Sequence, residues 1–293
     1  MIDMHIHVAN PQFPGMKTLS DSLDGSPESI ADLLRGQMRQ SGTVAACGMG
    51  HFSDWTEDPL GIASTLRVAQ YVPNLYPIGI ANPTRTDTDY LQRVESQLRT
   101  GQVVALKGYL GYVYQWPDGP GYRPYFELAA KYDVPFIFHT GDNWSTLAKV
   151  KYAHPLLIDE VAVEHRNVKF VMAHFGNPWC MDAAEVIYKN DNVWADVSAI
   201  LVGDAARFAR ITASGYLRRT VERVRHAIEY TERPDRFLYG TDWPLSPMDV
   251  YPNFVRQLFD DADHQAVFED NARDLFKLPK TAGQGVGSGP ARK

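Results

Sequence analysis

Apolar runs of strand length recur along the chain: MIDMHIH (1–7), TVAACGM (43–49), YPIGIAN (76–82), VVALKGY (103–109), VPFIFHT (134–140), VKFVMAH (168–174), VWADVSA (193–199) and RFLYGTD (236–242). Each is apolar on both faces, as a parallel strand covered by helices must be. Between them the period changes to that of helices. Ile30, Leu33, Leu34 and Met38 fall on one helical face, and TDTDYLQRVESQLRTG carries acidic residues early, arginine late and glycine at its stop. HPLLIDEVAVEH and YLRRTVERVRHAIEY follow the same logic, whereas SDSLDGSPES (20–29) reads as a surface loop before the first helix. Eight strands alternating with helices predict an α/β fold, a single (β/α)8 TIM barrel over residues 1–280. A doubly wound open sheet is the alternative. Residues 281–293, TAGQGVGSGPARK, predict a flexible glycine-rich tail, since these glycines neither follow a strand nor open a helix.

Composition narrows the partners. A net charge of −6 with both signs mixed along the chain offers no basic stripe for nucleic acid or an anionic membrane, which leaves a small-molecule substrate. Cys47 and Cys180 are far apart and suggest neither a disulfide framework nor a cysteine zinc site. With no basic segment leading into an apolar one at the N-terminus and no run of membrane-spanning length, a cytoplasmic protein is expected. A homo-oligomer is compatible with the fold, but no stretch specifies an interface.

The candidate chemistry lies where the strands end. His5 and His7 close the first run, Lys107 the fourth, His139 the fifth, His174 the sixth and Asp242 the eighth. In a closed barrel the carboxyl ends of the strands converge on one mouth, so these residues meet without being neighbours in sequence. The two histidines of H-x-H differ by two positions and share a face, which is the start of a chelate. Imidazoles with a carboxylate suit zinc first, with manganese, iron, cobalt or nickel as other candidates, in one or two ions per chain.

The ordered motifs DMHIH, FHTGD, AHFGNPW, LYGTDWP and the terminal helix NARDLFKL (271–278) resemble the amidohydrolase superfamily. The resemblance is to its amidohydrolase-related branch, which also contains aminocarboxymuconate-semialdehyde and γ-resorcylate decarboxylases and pyrone-dicarboxylate lactonase. It implies that His5, His7 and His139 are metal ligands and that Asp242 is a ligand or the general base for bound water. His174 would activate that water beside one metal or ligate a second. Asp3 would support the ligands. A protonated Lys107 would be repelled by a divalent cation, so it either becomes a carbamate bridging two metals or pairs a substrate carboxylate unmodified.

The resulting expectation is a metal-dependent hydrolase acting through activated water on an amide, lactone or ester, with Asp242, His174 and Lys107 catalytic. A metal-dependent nonoxidative decarboxylase of an aromatic or muconate-like acid is the alternative, and a non-catalytic ligand-binding barrel is the rival from another class. Arg85, Tyr109, Trp144, Trp179 and Trp243 are the candidate substrate contacts, with Trp55, Trp116 and His51 on neighbouring loops. His154, His165, His226 and His264 fall in or beside helices, outside the site.

Overall fold

The computed structural model describes residues 1–52 and 58–280. Eight strands run in sequence order as one parallel sheet: β1 (Ile2–Ile6), β2 (Ala45–Met49), β3 (Leu75–Ile80), β4 (Ala105–Gly108), β5 (Phe136–Phe138), β6 (Phe170–Met172), β7 (Val193–Asp196) and β8 (Phe237–Leu238). Backbone bonds bring the last strand back to the first. Met4 N–H donates to Tyr239 O at 3.0 Å, Asp242 N–H to His5 O at 2.8 Å and His7 N–H to Trp243 O at 2.7 Å. The expected (β/α)8 barrel is therefore present. The eighth run contributes only two residues to the ladder with β7, and the chain beyond Leu238 continues alongside β1, where Trp243 makes a parallel bridge to Ile6.

Alternation sorts the side chains into two cores. Leu106, Phe136, Phe138, Phe170, Met172 and Phe237 pack outward under the helices, while Met4, Cys47, Ala105, Ile137, Val171 and Leu238 form a separate interior cluster. Ala272 and Leu275, in the helix Asn271–Leu275, join that inner cluster near the strand starts and plug that end of the barrel. The parity that turns Ala105 and Ile137 inward also turns Lys107 and His139 inward, two residues nearer the carboxyl end. In β7 it is Trp194 and Asp196 that oppose the outward Val193 and Ala195. The β1–β2 register shifts between Asp3 and Ile6, so simple alternation does not carry through from Met4 to His5.

Two local expectations need correction. Leu33 is 39% exposed on the flank of the helix Pro27–Ser41, and Ala31 takes the buried place beside Ile30, Leu34 and Met38. The stretch 20–29 is not all loop: a 3-10 turn spans Asp21–Asp24 with Leu23 buried, and Ser26 caps the helix by accepting the Ser29 N–H at 3.2 Å. Among the described residues no helix is long and apolar enough to cross a membrane.

Candidate metal centre

The ends of β1, β4, β5, β6 and β8 place His5, His7, Lys107, His139, His174 and Asp242 around one small cavity. His5 Nε2 lies 3.5 Å and His7 Nε2 3.1 Å from Asp242 Oδ1. All three side chains are buried, yet Asp242 Oδ1 has no partner in hydrogen-bonding geometry. Ligand atoms about 2.0–2.1 Å from a tetrahedral zinc stand about 3.4 Å apart, and the two separations straddle that value. A buried acceptor stranded between two ring nitrogens is costly on its own and ordinary around a shared cation.

Protonation favours the same arrangement. Burial pushes the His5 imidazole down to about 4, so it is neutral near pH 7. Its Nδ1 lies 3.0 Å from Asp196 Oδ2, so a proton there is donated to the carboxylate and Nε2 keeps its lone pair. Ser198 Oγ donates to Asp196 Oδ1 at 2.5 Å, which leaves it to accept from His174 Nδ1 at 2.9 Å. For Asp242, burial alone would raise the pKa, but the neighbouring imidazoles of His5 and His7 outweigh it and hold the carboxyl well below its usual range.

Asp196 is the residue that reading the strand ends overlooked. Its Oδ1 also accepts the backbone N–H of His174 at 3.1 Å and of Ser198 at 2.9 Å. His174 has a φ of 61°, a conformation that few non-glycine residues hold without such restraint. The signal available in the sequence was a lone acid in the otherwise apolar VWADVSA. Asp3 supports the opposite side: Oδ1 accepts His5 N–H at 3.2 Å and Thr241 N–H at 3.0 Å, and Oδ2 accepts Thr241 Oγ1 at 2.6 Å. The segment carrying Asp242 is thereby tied to β1.

The remaining expected residues separate. His139 packs 4.9 Å from the His174 ring, but its Nε2 bonds Asp142 O at 2.9 Å, outside the three-atom convergence. Lys107 is fully buried, its Nζ has no hydrogen-bond partner, and burial lowers its pKa to about 8. A second group of potential ligands, His5, His174 and Asp196, is already joined through the hydrogen bonds just described.

Above the centre opens a cavity of about 220 Å³. At about 30 Å³ per water this is roughly seven waters, the scale of one substituted ring. Trp144 lines it as expected, together with Tyr112, which the sequence reading did not single out. Tyr112 stands edge-on to His139 and its hydroxyl accepts the Trp144 N–H at 2.8 Å. Tyr109 borders the inner part, with its hydroxyl donated to Gly50 O at 2.8 Å.

Two expected substrate contacts lie elsewhere, and a third, Trp243, lines only an adjoining cavity of about 370 Å³. Arg85 pairs with Asp87 at 3.2 Å and lies over Tyr90, because its own loop supplies an acid and a ring. Trp179 packs on His154, and Trp243 is buried in the cluster formed with the helix Pro27–Ser41. Trp116 packs on Tyr152, away from the centre, and His51 contacts Ser64 Oγ at 3.4 Å. Trp55 and the tail 281–293 lie outside the described residues.

A parallel barrel with two imidazoles and a carboxylate converging at its carboxyl mouth is the architecture of a metal-dependent barrel enzyme. Residues 2–278 match the amidohydrolase family Amidohydro_2, and the chain belongs to that family. It is an enzyme of the amidohydrolase superfamily, a metal-dependent group with both hydrolase and decarboxylase members. The γ-resorcylate decarboxylase of Rhodococcus jostii (strain RHA1) is 26% identical over 195 residues, 56% of each protein, so the chain spans about half the length of such curated relatives. Among solved structures, an amidohydrolase of Burkholderia multivorans with bound zinc superposes at a TM-score of 0.64, with 15% identity over 95% of this chain and 99% of that one. The 2,6-dihydroxybenzoate decarboxylase from Rhizobium gives 0.58, with 18% identity over 95% and 99%. At such identities the two structures speak for the fold.

Proposed function

We propose that the protein is a divalent-metal-dependent nonoxidative decarboxylase of a hydroxylated aromatic acid. The observation that carries this reading is the convergence of His5 Nε2, His7 Nε2 and Asp242 Oδ1 beneath a ring-sized cavity walled by Tyr112 and Trp144. The likeness to γ-resorcylate decarboxylases supports decarboxylation over the hydrolysis expected from the motifs alone.

His5, His7 and Asp242 would hold one ion. His139 would join them only by exchanging Asp142 O for it, and Lys107 would remain an unmodified amine. In the second potential ligand group His5 Nδ1 is engaged by Asp196 Oδ2 and His174 Nδ1 by Ser198 Oγ, which favours a single ion. A divalent ion in this site supplies positive charge that polarises an oxygen of the bound acid.

The chain's own groups do the rest. Tyr112 and Trp144 hold the ring flat and exclude water from it. The bond between ring carbon and carboxyl breaks, its electron pair stays on the ring, one proton is added to that carbon and CO₂ leaves. His174 and Lys107 both face the inner cavity and are the groups able to carry that proton.

The test is zinc-loaded protein incubated with 2,6-dihydroxybenzoate and, separately, with a panel of lactones and esters. CO₂ and resorcinol in equal amounts support the proposal. Turnover confined to lactones or esters, with water consumed, would replace it with the hydrolase reading.

A further inference from the structure

The cavity wall carries a hydroxyl whose proton no group of the described chain accepts. Gly111, with a φ of 86°, turns the chain after β4, and Tyr112 next to it lines both the 220 Å³ cavity and the inner one around the metal centre. The Tyr112 ring is held between Phe13, 4.7 Å away, and His139, 4.9 Å away and edge-on. Its hydroxyl oxygen is pinned at 2.8 Å by the Trp144 backbone N–H. A backbone N–H can only donate, so the tyrosine accepts there and must give its own proton elsewhere. Burial pushes the phenol pKa up, so that proton stays in place at neutral pH.

Other buried tyrosines have an acceptor. Tyr109 donates to Gly50 O at 2.8 Å, Tyr125 to Asn82 O at 2.9 Å and Tyr251 to Val197 O at 2.7 Å. Tyr112 has none among the described residues. Its neighbour Asn143 leaves its own Oδ1 without a partner and so does not take the proton. In the open cavity water accepts it. A ligand that fills the cavity displaces that water, and it either supplies an acceptor or leaves a buried donor unpaired.

We infer that Tyr112 is a specificity-determining residue whose hydroxyl donates to an oxygen substituent on the substrate ring, apart from the carboxyl that reacts. The inference rests on the proposed decarboxylase reading and deepens it: the ring oxygen is read as an acceptor, so an ether such as methoxy serves as well as a hydroxyl. A methyl group of similar size in the same place does not.

The test is calorimetric binding of hydroxy-, methoxy- and methylbenzoates, each substituted at the 2-, 3- or 4-position, to zinc-loaded wild type and Tyr112→Phe proteins. At one ring position the wild type is expected to bind both oxygen-bearing acids about fivefold more tightly than the methyl acid, the scale of one neutral hydrogen bond. Tyr112→Phe keeps the ring and should lose that preference. A wild type that shows it at no position, or for hydroxyl without methoxy, overturns the inference, as does a Tyr112→Phe protein that retains it. Equal weakening of all the acids in Tyr112→Phe would place the hydroxyl on the common carboxylate and overturns it too. The wild-type series decides even if the variant does not fold. These probes read binding alone, so the two readings separate. A preference lost in Tyr112→Phe, without decarboxylation of any hydroxybenzoate, leaves the tyrosine's role standing and removes the reaction, whereas decarboxylation without the preference does the reverse.

Discussion

Asp196→Asn tests the metal centre at the atom that orients it. Asp196 Oδ1 receives three donors, the His174 and Ser198 backbone N–H groups and the Ser198 hydroxyl, and the two backbone groups cannot turn away without moving the chain. The asparagine carbonyl must therefore occupy that side, which places its NH₂ 3.0 Å from His5 Nδ1, where Oδ2 now stands. Two N–H groups cannot face each other. Either Nδ1–H stays and is left unsatisfied, at about 1–3 kcal/mol, or His5 changes tautomer and puts a proton on Nε2, where the lone pair is needed. Both routes weaken the site by roughly 10- to 100-fold, about 1.4–2.8 kcal/mol. Zinc affinity measured by competition with a chromophoric chelator, with circular dichroism as the check on folding, reads this directly. A folded Asp196→Asn protein with wild-type zinc affinity would refute the proposed orientation of His5 and, with it, the assignment of Nε2 as the ligand atom.

Three further outcomes follow from the same geometry. Removal of metal by a chelator should lower the melting temperature: ligand at a hundredfold excess over Kd contributes about 2.7 kcal/mol, roughly 4–5 °C for a chain of this size, and an unchanged scan in calorimetry would deny a metal bound to the native state. Asp3, raised to about 7 by burial, holds its proton more tightly folded than unfolded, so its contribution favours the native state more as pH falls from about 7 toward 4. In urea unfolding of metal-free protein, the stability of the wild type relative to Asp3→Asn should rise by roughly 2–3 kcal/mol between pH 8 and pH 5, and a difference independent of pH would show that Asp3 is ionised throughout. For His139→Ala, zinc content and turnover should fall together if the ring exchanges Asp142 O for the ion; full zinc occupancy would confine His139 to the cavity wall.

The sequence by itself determined the barrel and the rim residues closest to its strands, and both for local reasons. Eight apolar runs separated by helical periods leave few ways to bury every strand on both faces, and polar residues at the ends of such runs must gather at one mouth. His5, His7, His174 and Asp242 were legible on that basis. The tertiary structure alone decided which of the rim side chains meet. Asp196 became visible only when β7 came to lie beside β6 and its carboxylate reached His5 across the barrel, a contact between residues 191 positions apart. Arg85 and Trp179 looked as eligible for the cavity as Trp144, but an acid and a tyrosine near the first and an imidazole near the second gave them nearer partners. Periodicity records which way a side chain leaves its own element. Its partner is set by how neighbouring elements and loops pack, and no local pattern encodes that.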